Sequence, residues 1–307
     1  SNEVRAQPSE QIENSLKAFF PNCYKKLEVW AIIGVFMKKL ISGMLFTVFL
    51  GLAVFAQKIP EGRNLPALVV DFATDKNSWT ESNLVKVDPM NEEYSVSGYV
   101  VQKNIIGYVK QSYVVTISKS ENELNVSVSD MNSVACNKEG AVLSKASVIK
   151  NPSSTETKLA SLIKEDLVKR ISQWSDEEYE EKNLKACSYP EFVYQLSKTA
   201  SKLYATKFFE KNVNGKNVEL EVTLSSIDEN LNPITKEPEQ LQYKAVGSVE
   251  IVKSADSGFV ITEPYTISIY SNNDKLLSAK IGSIYKAKGI ANIKPLSNFW
   301  IYTIEEK

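Results

Sequence analysis

Polar and apolar positions change their spacing along the chain, and each change marks a new kind of element. Between residues 94 and 130 they alternate. Tyr94 to Val101 (YSVSGYVV) is one such run, and Gly107 to Ser118 is rich in Tyr, Val, Thr and Ile. Glu123 to Asp130 places Leu124, Val126 and Val128 on one face and Asn125, Ser127 and Ser129 on the other. Period two predicts half-buried strands, with a hairpin turn at Lys119-Ser-Glu-Asn122. Ser133 to Ile149 adds another strand or two. Upstream, Leu68 to Phe72 reads as a short strand or a helix start, and Trp79 to Val87 is ambiguous.

After Pro152 the period lengthens. Leu159, Leu162, Ile163, Leu167, Val168, Ile171 and Trp174 form a helical stripe wide enough to pack on a sheet. Ser153 and Glu156 have the spacing of a capping box at its start. A second helix is predicted from Pro190, with Phe192, Val193, Leu196, Ala200, Leu203, Tyr204 and Phe208 on its apolar face. It stops before the turn Asn212-Val-Asn-Gly215. From Asn217 the chain is strand-like again. Val218 to Leu224 alternates strictly, and Tyr243 to Val252, Phe259 to Tyr270, Leu276 to Ile290 and Asn298 to Ile304 follow. A polar stretch over 228–241 is expected to be a loop, and Ser271 to Asp274 a turn.

These elements predict an α+β fold: an antiparallel sheet packed by helices over 57–186, a connecting helix over 187–216, and a small five-stranded β-barrel over 217–307. Ahead of them stands a segment of another kind. Met37-Lys38-Lys39 is followed by Leu40 to Ala56, in which only Ser42 and Thr47 are polar. A charged start, an apolar middle and small residues at Val54-Phe55-Ala56 are the three parts of a secretory signal peptide. Cleavage is expected between Ala56 and Gln57. Residues 1–36 are then a non-native or over-extended N-terminal segment. The localisation implied is periplasmic or secreted, with no membrane span once the signal is removed.

Composition narrows the chemistry. Removing residues 1–56 leaves 30 basic and 33 acidic side chains, a net charge of −3. A nucleic-acid partner is not expected, because neutralising phosphates needs a basic excess. Histidine is absent, so Ser-His-Asp and Cys-His machinery and His-ligated zinc are excluded. No G-x-S-x-G, C-x-x-C or phosphate-cradling glycine pattern occurs, and no cofactor is implied. Cys136 and Cys187 are the cysteines that follow the signal. In an oxidising compartment they are candidates for a disulfide, worth roughly 4 kcal/mol for a loop of that size, and the alternative is two buried thiols. Asp176 to Glu181 carries five carboxylates in six residues, without the spacing of a calcium loop, and is expected to be a solvated helix end. Tyrosines 94, 99, 108, 113, 243, 265, 270 and 285 fall in strands. Half-buried sheet positions account for most of them, and exposed ones would form a contact surface.

Two resemblances carry further implications. Ala279 to Ala291 (AKIGSIYKAKGIA) and the closing run Phe299-Trp-Ile-Tyr-Thr-Ile304 resemble the last strands of an OB-fold, over about 217–307. That resemblance implies binding of oligonucleotides or sugars through outward-facing basic and aromatic residues. The run VSGYVVQKN, the hairpin around 113–130 and the helix after it resemble an exported bacterial domain of unknown function with a TATA-binding-protein-like sheet, over about 60–185. Neither passes on a catalytic residue.

The function expected is a non-catalytic envelope protein, an interaction or ligand-binding module for a protein or small ligand. The alternatives are a carboxylate-dependent hydrolase acting on glycans, which needs two carboxylates about 5–10 Å apart across a cleft, and a structural subunit of a surface assembly. Export is directly testable. Expressed from Met37 in a bacterial host, the chain is expected to yield a soluble product whose intact mass starts at Gln57. An uncleaved product in the membrane fraction would contradict the signal.

Overall fold

The computed structural model describes residues 59–306 apart from 61, 76–80, 105–106, 121–122, 144–148, 151–152, 257–258 and 298. The signal segment and the Ala56–Gln57 junction lie outside the described residues. The chain divides into two compact units. One holds residues up to Leu68, Phe72–Asn83 and Ser95–Trp174, and the other holds Val69–Asp71, Leu84–Tyr94 and Ser175–Lys307. The helix that follows Trp174 therefore belongs with the second unit.

The first unit is built on a sheet of strand order β1-β2-β3-β4-β5. The strands are β1 (Glu81–Asp88), β2 (Glu93–Asn104), β3 (Gly107–Ser120), β4 (Glu123–Cys136) and the two-residue β5 (Ile149–Lys150). Helix α1 (Pro66–Ala73) precedes them and α2 (Ser153–Gln173) follows. Leu68–Phe72 is thus helical: apart from Asp71 every residue of α1 is apolar and buried, which weakens the amphipathic signal that would have named it. The alternation in β3 and β4 places Tyr113, Val115, Ile117, Leu124 and Val128 in the core. A bulge between Ser112 and Val114 resets the register. Leu159, Ile163, Leu167, Val168 and Ile171 of α2 are buried, and α2 packs on β4. The Arg63 guanidinium donates to the carbonyls of Ile171 and Trp174, placing a cation at the C-terminal end of α2 where carbonyls lack helical partners. The Glu156 carboxylate, in the first turn of α2, accepts from the Met131 N–H at 3.4 Å.

In the second unit the capping box lies at the next helix. Ser175 accepts from the Glu178 N–H at 3.1 Å, and Glu178 accepts from the Ser175 N–H at 2.9 Å. This starts α3 (Asp176–Ser188), whose acidic first turn faces the positive end of the helix dipole. The helix expected from Pro190 is two helices, α4 (Pro190–Thr199) and α5 (Lys202–Asn212). The break comes at Ala200 and Ser201, which are extended, and the Ser201 hydroxyl caps α5 by accepting from the Tyr204 N–H.

A closed five-stranded mixed barrel follows. Its strands are β6 (Asn217–Leu231), β7 (Pro238–Asp256), β8 (Phe259–Ser271), β9 (Ile284–Leu296) and β10 (Phe299–Glu305), and a one-turn helix α6 (Asp274–Leu277) separates β8 from β9. The stretch 228–241 is loop only in its middle, and the Leu276 end of the fourth predicted strand belongs to α6. Around the barrel the order is β10-β8-β7-β6-β9. All neighbours are antiparallel except β10 and β8, which run parallel through Tyr302↔Ile267 to Glu305↔Tyr270. Inward positions are apolar and mostly small or branched: Val222, Leu224, Ala245, Ile267, Ile269, Ala287, Ala291, Ile293 and Ile304.

Within this unit the helices meet the barrel through aromatic rings. Phe209 sits edge-on to Trp300 at 5.4 Å, and Tyr194 edge-on to Tyr265 at 6.3 Å. The Tyr302 hydroxyl donates to the Ser188 carbonyl at 2.8 Å. Phe208 joins Phe209 to Phe192, and Phe192 stacks on Tyr94. Asn214 ties the helical segment to β9: its side-chain oxygen accepts from the Ile293 N–H at 2.7 Å and its amide donates to the Ile293 carbonyl at 3.2 Å.

At Gly289 the barrel leaves no room for a side chain. A Cβ there would run into the Glu305 carbonyl oxygen, a backbone atom that cannot swing away. Just beyond, the buried Glu306 carboxylate accepts from the Lys288 N–H at 3.0 Å and the Tyr285 hydroxyl at 2.8 Å. Gly289→Ala is expected to lower stability by about 2–3 kcal/mol. Urea unfolding followed by tryptophan fluorescence measures it, and an unchanged midpoint would show that β10 does not pass this closely.

Candidate functional site

Register places a coherent surface on the outside of β6, β7 and β8. Ala245, Gly247 and Ile251 of β7 point into the barrel, so Lys244, Val246, Ser248 and Glu250 face outward. Their partners on β8 are Tyr270, Ser268, Thr266 and Pro264. On β6, Asp228 stands opposite Lys244 and Ser226 opposite Val246. One row across three strands therefore reads Asp228, Lys244, Tyr270. The Lys244 ammonium lies 5.9 Å from the centre of the Tyr270 ring, the outer limit for a cation–π contact. The rest of the face carries the hydroxyls of Ser226, Ser248, Thr266 and Ser268.

The connection from β6 to β7 borders this face and is held by its own side chains. The Asn232 carboxamide oxygen accepts from the N–H groups of Ile234 and Thr235 at 2.9 and 3.1 Å, and its amide donates to Glu239. Lys236 adopts a positive φ of 62° to complete the turn. The turn leaves Ile234 89 % exposed at its apex. At the same end of the strands Asn272 clamps the start of β7, accepting from the Gln242 N–H and donating to the Gln240 carbonyl.

With Asp228 and Glu250 against Lys244, the face has no positive excess with which to follow a phosphate backbone. Besides those balanced charges its donors and acceptors are neutral hydroxyls beside one ring. Such a surface suits hydrogen-bonding and stacking with an uncharged polar ligand. Composition could not reveal it, because the row exists only once the register of three strands is known.

The residues singled out in the sequence lie elsewhere. Cys136, in the first unit, and Cys187, in the second, are free, buried thiols. Cys136 ends β4 opposite Tyr108 and beneath a bridge to Val142. Burial raises its thiol above the usual range, and the nearby Lys110 partly offsets this. Cys187 lies inside α3 with its sulfur 3.5 Å from the Asn183 carboxamide oxygen, and burial raises it much further. Both are thereby held as neutral thiols. The Asp176–Glu181 carboxylates stand on the first turns of α3. Among the described residues no group of three or more His, Cys, Asp or Glu could hold a metal ion. Of the strand tyrosines, Tyr94 and Tyr113 are buried, and the other six are half-buried.

One carboxyl group that the sequence did not mark is set apart. Glu191, in the first turn of α4, is 7 % exposed, and its Oε1 has no hydrogen-bond partner. Burial pushes its pKa up to about 8, while a hydrogen bond from the Leu84 backbone pulls the other way. Tyr189 is its titratable neighbour, and its own phenol is pushed up to about 12, mainly by burial.

A scan of protein-family models finds no match for the chain, and no curated protein matches it.

Glu191 makes the stability of the second unit depend on pH. Its folded pKa lies above its ordinary value of 4.5, so the folded state holds the proton more tightly than the unfolded chain. The contribution is complete below about pH 4.5, declines as pH rises, and is gone above about pH 8. Glu191→Gln keeps the shape and cannot ionise. The stability of the variant relative to the native chain is expected to rise between those pH values and level off beyond them. Denaturant unfolding across that range measures the difference, and a flat difference would contradict the assignment.

Proposed function

We propose that this chain is an exported, non-catalytic binding module, and that its second unit is an OB-like barrel whose β6–β7–β8 face takes up an uncharged polar ligand. The support for an OB-like barrel is topological. Numbered from its own first strand, the barrel closes in the order 1-2-3-5-4, with strands three and five parallel and a helical turn between three and four. OB barrels use the outer face of strands two and three, with the loop joining strands one and two, to hold extended polymers. Here those elements are β7, β8 and the Asn232-centred turn.

The observation that carries the ligand class is the row Asp228, Lys244, Tyr270 beside the hydroxyl strip. A ring beside a cation that a carboxylate balances on its other side, on a face with no net positive charge, fits a neutral oligosaccharide better than a polynucleotide. The signal-like segment supports a location where such glycans are found. Among the described residues no helix is long and apolar enough to cross a membrane.

The test is binding of a panel of neutral oligosaccharides, followed by calorimetry and amide chemical shifts. Shifts centred on β7 and β8 are expected. Tyr270→Ala is expected to weaken binding about tenfold, the loss of about 1.4 kcal/mol of contact with the ring, without a change in unfolding midpoint. Tight, salt-sensitive binding of single-stranded oligonucleotides at the same residues would overturn the ligand class. Shifts confined to other surfaces would overturn the site.

A further inference from the structure

Residues 275–304 hold five lysines, at 275, 280, 286, 288 and 294, and no acidic residue, in a chain of net charge −1. The same stretch exposes large apolar side chains close together at its start. Leu277 is 53 %, Ile281 55 % and Ile284 70 % exposed. Single exposed apolar residues are ordinary, but three within eight positions flanked by lysines are not explained by folding.

The exposure is not that of a loose end. Leu276 is fully buried and anchors α6. The Gly282 N–H donates to the Leu224 carbonyl at 2.8 Å, and the Leu224 N–H donates to the Ser283 carbonyl at 3.0 Å. The Ser283 N–H donates back to the Lys280 carbonyl, and Gly282 takes the positive φ of 83° that this turn requires. The backbone is thus tied to β6 in both directions, while the Leu277, Ile281 and Ile284 side chains point away from the barrel core. Lys275 and Lys280 are exposed among them. Lys286 and Lys288 lie further along β9 and are engaged with Glu219, at 2.6 and 3.9 Å. The nearest acidic residue in sequence is Asp274, in the first turn of α6.

We infer that the α6–β9 hook, residues 275–284, docks on an anionic phospholipid surface, with Leu277, Ile281 and Ile284 entering the headgroup boundary and Lys275 and Lys280 meeting the lipid phosphates. Apolar side chains on a rigid turn gain from leaving water at that boundary. Lysines within a few ångströms of the surface are drawn to its negative potential, and that attraction is screened by salt. The hook uses its own side chains and none of Asp228, Lys244 and Tyr270, so this docking does not depend on the ligand proposed there.

A local reporter distinguishes the hook from any other lipid-binding part of the chain. In the full chain carrying Cys23→Ser, Ser278→Cys is labelled with an environment-sensitive fluorophore, the remaining thiols being buried. The labelled protein is titrated with vesicles of phosphatidylglycerol mixed equally with phosphatidylcholine, and with vesicles of phosphatidylcholine alone. A blue shift is expected on the anionic vesicles only, weakening as salt is raised. Lys275→Glu with Lys280→Glu is expected to raise the lipid concentration for half-maximal shift at least about tenfold. Ile281→Ser with Ile284→Ser is expected to abolish the shift while the circular dichroism spectrum stays the same. Absence of a shift on anionic vesicles in the folded protein overturns the inference and leaves a protein as the occupant of the patch. An equal shift on both kinds of vesicle overturns the role of the lysines.

Discussion

Closure of the barrel rests on β10, which must satisfy neighbours on both of its edges. It pairs with β9 along its whole length and with β8 over its second half, in opposite senses. Without it, β8 and β9 would each present a bare edge, and unpaired backbone groups withdrawn from water cost about 1–3 kcal/mol apiece. Fitting the strand in brings its carbonyls over β9, and at Gly289 there is no room for even a methyl group. The Glu306 side chain then continues the job of the backbone, accepting from Lys288 and Tyr285 where the ladder has ended. A carboxylate is suited to this because it accepts two hydrogen bonds without offering a donor of its own.

Around that closed frame the second unit is organised by rings. A run of contacts passes from Tyr94 through Phe192, Phe208 and Phe209 to Trp300. Aromatic side chains contribute large buried areas and prefer the tilted and edge-on geometries seen here. The hydroxyl of Tyr302 finds the Ser188 carbonyl at the end of α3, so a barrel residue also satisfies a helix terminus. These are the contacts that fix where α3, α4 and α5 lie on the barrel.

Strands were the most legible part of the sequence. Strict alternation from Glu123 to Asp130 and from Val218 to Leu224 leaves little choice once one face must be buried. Helices were legible where their stripe was clean, as in α2. α1 was hidden because all of its eight residues but Asp71 are apolar and buried. The break at Ala200–Ser201 was hidden because Leu203, Tyr204 and Phe208 keep helical spacing across it; Leu203 is in fact 68 % exposed. The capping box at Ser175–Glu178 was written in the sequence as plainly as the one expected at Ser153, but the surrounding carboxylates masked it as a charge run. The candidate face was not legible at all. Asp228, Lys244 and Tyr270 are ordinary residues until bulges and turn lengths bring them into one row.

The order in which the barrel strands occur has a kinetic consequence. β6, β7 and β8 form a meander whose members pair soon after they emerge. β9 reaches back to β6 across the whole intervening chain, with Asn217 opposite Ile290, and β10 must then slot between β8 and β9. Loop-closure entropy has to be met before those distant pairs repay it, so sealing the barrel is intrinsically the slow event. During synthesis the meander waits with two open edges, and that waiting species is the one most prone to mispairing with other chains.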